Sequence, residues 1–415
     1  MRKIITLLFA SPLLVVMIAI VFINVRVYYE EDSAASTTDS INEDLVHTLY
    51  GIKDAVNAGA DTDMQAIYPE GHVFMNVIYA LAWCNAMEKL NTNSEYYRTG
   101  YSEIQMCWAK INSKSARTQF EEDLPLAYGA FYTGWSNYLL GRKLSLDRPD
   151  QRDPAQLQLF KENCERIAHA IQANPFPVSY YAQAWPADVM PCVASLRLHD
   201  QILEAKYKAV VEKWLKTIVT KLDPNGLIPH AVNPLTGKTV ESARGSSQSL
   251  MLIFLQQVDR ELAQAHYQKY KKLFLDTTFG LSGIREYPKG HSGEGDVDSG
   301  PVILGYGGAA TIVGMQTLSA FGDDQQAAKI RNEVEGLAFG ITAGGKKKYF
   351  FGTLPMADAF IAWSHTALNK RGNETPSFGA FHLYSSLVFF VGAIWFWILM
   401  SPRKPDSKAS MNTVW

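Results

Sequence analysis

The sequence predicts an all-α protein, an (α/α)6 toroid of six helical hairpins with one transmembrane helix at each end. Three observations lead there. A stretch rich in Pro, Gly, aromatics and acids runs into an apolar, small-residue segment six times, at intervals of 52 to 61 residues. Charged segments with helical periodicity separate these stretches, and an uncharged run of membrane length lies near each terminus. A period of this size marks a repeat whose unit cannot bury its apolar face alone.

The N-terminal run, Ile4 to Val25, is 22 residues long, preceded by Arg2 and Lys3. At 1.5 Å per residue it can cross a bilayer. A cleaved signal peptide has a shorter apolar core and a small-residue cleavage site, whereas Asn24-Val-Arg26-Val-Tyr-Tyr follows here, so an uncleaved anchor over 1–26 is expected. Residues 27–44, polar and without period, read as a stalk, and 45–365 as the toroid domain. A linker over 366–380 precedes the second span, Phe381 to Met400, and a tail of 401–415 carries Arg403, Lys404 and Lys408. Basic residues on the outer flank of each span favour both termini in the cytoplasm. The expected setting is a bacterial inner or plasma membrane, with the main domain periplasmic or extracellular.

The six stretches are Tyr68–Trp83, Glu121–Trp135, Tyr180–Leu196, Glu241–Leu255, Gly293–Ala310 and Phe351–Trp363. Each leads into a segment apolar nearly all round, as buried inner helices are. The intervening segments, such as Asp200–Leu222 and Gln325–Phe339, have apolar residues at three- and four-residue steps with charges between, as outer helices do. Short extended pieces are expected only within long loops, at Gly226–Pro234 and Lys346–Leu354.

A net charge of −2 gives no reason to expect nucleic acid as a partner. Four cysteines, Cys84, Cys107, Cys164 and Cys192, form no metal-ligand spacing, and Cys84 and Cys192 lie in apolar helical runs as free thiols do. An EF-hand from Asp296 fails because Gly300 and Gly307 stand where ligands belong. Neither a metal nor another cofactor is expected. Two spans without charged residues offer no transport pathway.

The acids fall just before, or in the first turn of, the inner helices. They are Glu70, Glu121 to Asp123, Asp188, Glu241 with Arg244, Asp296 with Asp298, and Asp358. Helix capping accounts for such placement structurally. Gathered on one rim with Tyr68, His72, Tyr180, Tyr181, Trp185 and Tyr287, they also compose a catalytic mouth. In repeat number, period and the position of these acids, residues 45–365 resemble the six-hairpin glycosidase-like superfamily. That resemblance implies a carbohydrate-active enzyme, a glycoside hydrolase first and a polysaccharide lyase or sugar epimerase second, with its cleft where the inner helices start.

A glycosidase needs two carboxyls on one bond, one protonated and one ionised. Asp188 and Asp298 are the expected pair, with Glu70 and Glu286 in reserve. Trp185 and Tyr181 would stack on a sugar, and Arg244 would grip an acidic sugar's carboxylate. His72, Tyr287, His291, Asp296 and Asp358 complete the expected binding surface. Two alternatives stay open: a non-catalytic glycan- or protein-binding scaffold of an envelope complex, and a dehydratase or isomerase of a small alcohol on the same fold.

Overall fold

The computed structural model describes residues 2–29, 41–368 and 376–401. Among the described residues, sixteen α-helices and four two-stranded antiparallel hairpins make up most of the regular structure. In chain order these are α1 (Arg2–Arg26), α2 (Glu43–Asn57), α3 (Ala60–Ile67), α4 (Gly71–Met87), α5 (Glu95–Ile111), the one-turn α6 (Lys114–Arg117), α7 (Gly129–Leu146) and α8 (Pro154–Ala173). Next come α9 (Pro186–Ile202), α10 (Lys208–Ile218), β1 (Ala231–Val232), β2 (Thr239–Glu241), α11 (Gly245–Val258) and α12 (Arg260–Phe274). The last part holds β3 (Leu275–Thr278), β4 (Leu281–Ile284), β5 (Val302–Ile303), β6 (Tyr306–Gly307), α13 (Gly308–Ala320), α14 (Asp324–Leu337), β7 (Ile341–Ala343), β8 (Lys346–Lys348), α15 (Pro355–Thr366) and α16 (Gly379–Met400).

Six helices begin within the six recurrent stretches: α4, α7, α9, α11, α13 and α15. They are buried nearly all round, α4 from Gly71 to Met87 with two exceptions, Phe74 and Asn85. They also pack in sequence: α4 on α7, α7 on α9, α9 on α11, α11 on α13, α13 on α15, and α15 back on α4. Helices α5, α8, α10, α12, α14 and α2 pack against this circuit from one face each. On α5, for example, Gly100, Glu103, Ile104, Cys107 and Ile111 are buried at three- and four-residue steps.

Aromatic rings fill the middle of the circuit. Phe74 of α4, Trp135 of α7, Phe254 of α11 and Trp363 of α15 meet at centroid distances of 5.0–6.4 Å. Each such contact adds roughly 0.5–1.5 kcal/mol beyond the area it buries.

Two expectations change. Asp200–Leu222 is not one helix, because the Asp200 carboxylate accepts the N–H groups of Lys206 and Tyr207 at 2.8 and 2.9 Å, which breaks the chain between α9 and α10. The stretch expected as a stalk is packed at both ends: Val27 and Asp44 are buried, and 30–40 lie outside the described residues. So do 369–375 of the linker and 402–415 of the tail. All four cysteines are buried free thiols.

Among the described residues one helix, Gly379–Met400, is long and apolar enough to cross a membrane; Ala10–Arg26 forms a shorter apolar helix. These two helices, α16 and α1, pack antiparallel. Asn24 Oδ1 accepts from Ser385 Oγ at 3.0 Å and pairs with His382 Nδ1, while the Tyr28 hydroxyl meets His382 Nε2 at 2.7 Å. Further along, Gly392 faces Leu13 and Met17. Helix α1 is also fixed to the domain, since Arg26 reaches Glu335 Oε2 at 3.0 Å and the Gly340 carbonyl at 2.9 Å.

Candidate active site at the inner-helix starts

Four of the six inner helices open on Gly and two on Pro. At α7 the requirement is steric. Gly129 has φ +76°, and a Cβ there would collide with the Ser179 carbonyl oxygen, far inside the 3.0 Å that real Cβ atoms keep. At α11 a Cβ on Gly245 would collide in the same way with the Arg285 carbonyl oxygen. Bare backbone lets neighbouring loops cross directly over the helix starts, which brings their side chains onto one rim.

N-cap hydrogen bonds do not explain the rim acids. No inner helix has a side-chain hydrogen bond from its own N-cap residue, the residues there being Glu70, Tyr128, Trp185, Arg244, Gly307 and Leu354. The surrounding helices α2, α5, α8 and α12 are capped in the ordinary way by Asn42, Ser94, Asp153 and Asp259.

Glu70, Asp188 and Asp298 instead converge. Glu70 and Asp298 are in side-chain hydrogen-bond contact, carboxyl to carboxyl, and the Tyr180 hydroxyl donates to Glu70. Glu70 is 5% exposed, and its buried Oε2 has no hydrogen-bond donor. Burial, then the charge of Asp298, pushes Glu70 up to about 8. Burial raises Asp298 as well. Asp188 is pushed up to about 7 by burial and by Asp298, against the pull of a hydrogen bond from Ser179. The Trp185 N–H donates to Ser179 Oγ at 3.2 Å, which leaves the Ser179 hydroxyl proton for Asp188. Glu70 and Asp188 are buried and Asp298 is exposed on its loop, so the two buried carboxyls hold their protons more tightly than ordinary carboxylates do.

Aromatics wall this group. Tyr180 meets Phe120, Phe131 and Trp185 at centroid distances of 5.2–5.8 Å, and Tyr68 lies within the field of both Glu70 and Asp298. Tyr180 is held by a two-residue turn in which Tyr181 and Ala182 take φ +49° and +55°, a conformation uncommon for residues with a Cβ. The turn exposes Tyr181 and ties its N–H to Glu121 Oε1 at 2.9 Å.

Asp298 arrives on the Gly-rich segment 288–301, anchored across the rim by Arg244. That guanidinium pairs with Asp296 and Glu241 and lies 5.4 Å over the Tyr287 ring, whose hydroxyl donates to the Glu294 carbonyl. Arg244 is thus engaged in holding the loop. Although burial opposes it, the Ser299 N–H and hydroxyl and Arg244 hold Asp296 down to about 2.

The remaining expected residues serve elsewhere. Glu286 is buried and accepts from Ser246 Oγ at 2.7 Å and Ser246 N–H at 3.3 Å, capping α11 from outside its own chain segment. Asp358 accepts the Tyr349 N–H at 3.0 Å, fixing the loop before α15. His72 sits in the first turn of α4 with Nδ1 3.4 Å from Asp61, and His291 is exposed on the loop. Ser179 is not legible as a site residue from sequence; the one signal for it is adjacency to the aromatic Tyr180–Tyr181 pair.

Among the described residues no cluster of His, Cys, Asp and Glu could hold a metal ion. No protein-family model matches the chain, and no curated protein sequence matches it significantly.

Proposed function

We propose that the circuit of inner helices is an (α/α)6 toroid held by two membrane spans, α1 and α16, and that its acid-bearing mouth is an enzyme active site for acid–base cleavage of a C–O bond. Glycoside hydrolysis is the first reading, with lyase or epimerase chemistry on the same carboxyls. The supporting observation is the Glu70–Asp298 pair, with a buried Glu70 oxygen that lacks a hydrogen-bond donor. Glu70 acts as the proton donor to the leaving oxygen, and Asp188 is the carboxylate that supports positive charge or takes a proton on the other side. Carboxyls in contact are too close to flank a glycosidic bond, which needs about 5–9.5 Å between them. Asp298 is thus the residue that sets the protonation of Glu70 rather than its partner across the bond.

Dehydration or isomerisation of an alcohol is the second reading. The aromatic wall of Phe120, Phe131, Tyr180 and Trp185 favours it, since it offers few hydrogen bonds to a polyhydroxylated ring. A scaffold without catalysis would have no use for an unsatisfied buried carboxyl. The test is release of reducing ends from a neutral glycan panel, and loss of water from alkenols, by the full chain and by Glu70→Gln, Asp188→Asn and Asp298→Asn. Turnover in the parent chain that falls in Glu70→Gln and Asp188→Asn, with both variants folded and melting no lower than the parent, supports the site; full turnover in both variants rules it out.

A further inference from the structure

The direction in which the terminal helices leave the domain bears on what reaches the mouth. Helices α13 and α14 are joined by only Phe321-Gly322-Asp323, so they run antiparallel and α14 ends on the side where α13 begins, which is the mouth side. Helix α1 lies antiparallel on α14: Phe22 stacks on Phe339 at 5.2 Å, Ile23 and Val27 abut Gly336, and Tyr28 reaches the Phe378 ring, which Lys329 covers. Residues of α1 before Phe22 therefore continue past the end of α14 and beyond the mouth side. Helix α16 does the same. Its first turns touch the β3–β4 hairpin, with Phe279 against Tyr384 at 5.3 Å, and its later residues follow α1 outward to Gly392 opposite Leu13.

Exposed apolar side chains stand on this same side. Phe279, Ile303 and Phe351 are 55, 66 and 71% exposed, each at the tip of a loop that leads into the rim. Phe351 stacks on Phe339 and so continues the surface of α1, while Phe279 continues that of α16. Bulky apolar loop tips contiguous with a spanning helix are what the bilayer interface accommodates.

We infer that the acid-lined mouth faces the bilayer, its loop tips seated in the lipid interface, and that its ligand is an amphiphile presented by the membrane rather than a freely diffusing solute. This rests on the reading of α16 as a membrane span and sharpens the substrate class of the proposed site. A lipid-borne glycan or a long-chain alcohol satisfies both the carboxyl cluster and the aromatic wall.

The test is nitroxide depth measurement by electron paramagnetic resonance on the full chain in phosphatidylcholine vesicles, comparing collision with oxygen and with a water-soluble nickel chelate. The four native cysteines are fully buried and leave introduced ones to react alone. Labels go on Phe279→Cys, Ile303→Cys and Phe351→Cys at the rim, Ile394→Cys on α16, and Asn93→Cys at the opposite end between α4 and α5. Oxygen-dominated collision at 394, intermediate values at the three rim sites and chelate-dominated collision at 93 are expected. Rim values equal to that at 93, with 394 in lipid, overturn the orientation alone. An aqueous reading at 394 overturns the membrane span and the orientation with it.

Discussion

Glu70, immediately ahead of α4, and Asp298, on a loop between α12 and α13, meet carboxyl to carboxyl over the starts of the inner helices. Burial and the charge of Asp298 raise the proton affinity of Glu70, and the neighbouring Tyr180 hydroxyl pulls against them. If Glu70 is the proton donor, its high proton affinity depends partly on the charge of Asp298. Asp298→Asn should then lower the Glu70 pKa from about 8 toward the ordinary glutamate range, and move the alkaline limb of a pH–rate profile to lower pH. Glu70→Gln should cost roughly 10²–10⁴ in rate, the usual worth of a general acid. Carboxyl-carbon NMR titration of the full chain reads the first effect even before a substrate is in hand.

The same groups set a pH dependence of stability whose sign is the reverse of that for salt-bridged carboxylates. Glu70 and Asp188 bind protons more tightly folded, to about 8 and about 7, than in the unfolded chain, where carboxyls titrate near 4. Between those values the native state holds more protons, so stability falls as pH rises from about 4 to about 8. Glu70→Gln and Asp188→Asn remove the cost of ionising a buried carboxyl. Both variants should melt above the parent chain at pH 8, by roughly 2–4 °C for each kcal/mol relieved, and the gain should vanish at pH 4–5. A gain of equal size at both pH values would show that burial of these charges is not its origin.

Much of this arrangement is legible in the sequence, for a physical reason. Inner helices are buried all round and outer ones on one side, so composition separates the two layers, and each passage from loop to inner helix shows as Gly or Pro beside acids. The recurrence therefore locates all six helix starts. Pairing is not legible. Sequence pairs Asp298 with Asp188, yet its contact is Glu70, because where a Gly-rich loop lands depends on the long-range Arg244–Asp296 ion pair. The same ion pair, together with Glu241, engages the Arg244 guanidinium. Glu286 and Asp358 look from sequence like the other rim acids, and only their partners, Ser246 and Tyr349, set them apart.

A second prediction about buried charge concerns the junction of α1 and the domain. The fully buried ammonium of Lys347 binds Asp44 and lies 2.7 Å from Glu335 Oε1, which also accepts from the Tyr349 hydroxyl at 2.6 Å. Arg26 holds the other Glu335 oxygen. Lys347→Met keeps the volume and removes the charge that Asp44 and Glu335 share. Glu335 keeps Arg26 and the Tyr349 hydroxyl, so Asp44 is the carboxylate left without its ion-pair partner, and breaking a buried pair from one side typically costs about 3–5 kcal/mol. The melting temperature of the full chain should drop by several degrees or more. A double variant, Lys347→Met with Asp44→Asn, should recover part of the loss, which a simple packing defect would not.

The last prediction ties the fold to the site through one glycine. Gly129 opens α7 in the left-handed region at φ +76°, directly beneath the Ser179 carbonyl. An alanine there is strained by its backbone conformation and drives its Cβ into a backbone oxygen that belongs to a packed loop. The loop must move, and it carries Ser179, which bonds Asp188, and Tyr180, which bonds Glu70. Gly129→Ala should therefore lower stability by about 1–3 kcal/mol, the scale of a forced backbone shift, and also disturb the titration of two carboxyls to which it adds no contact. With the Ser179 and Tyr180 hydroxyls withdrawn, Asp188 and Glu70 lose hydrogen bonds that favour their charged forms, so both should titrate higher still. Gly141→Ala supplies the comparison. It sits in the same helix, where a Cβ would meet Leu198 at 2.7 Å and the Phe160 ring at 2.8 Å, without touching the Ser179 loop or the carboxyl-bearing residues. A variant that loses stability with both carboxyl titrations unmoved would separate α7 packing from the site, and would mean that the Ser179–Tyr180 loop is placed by something other than the bare start of α7.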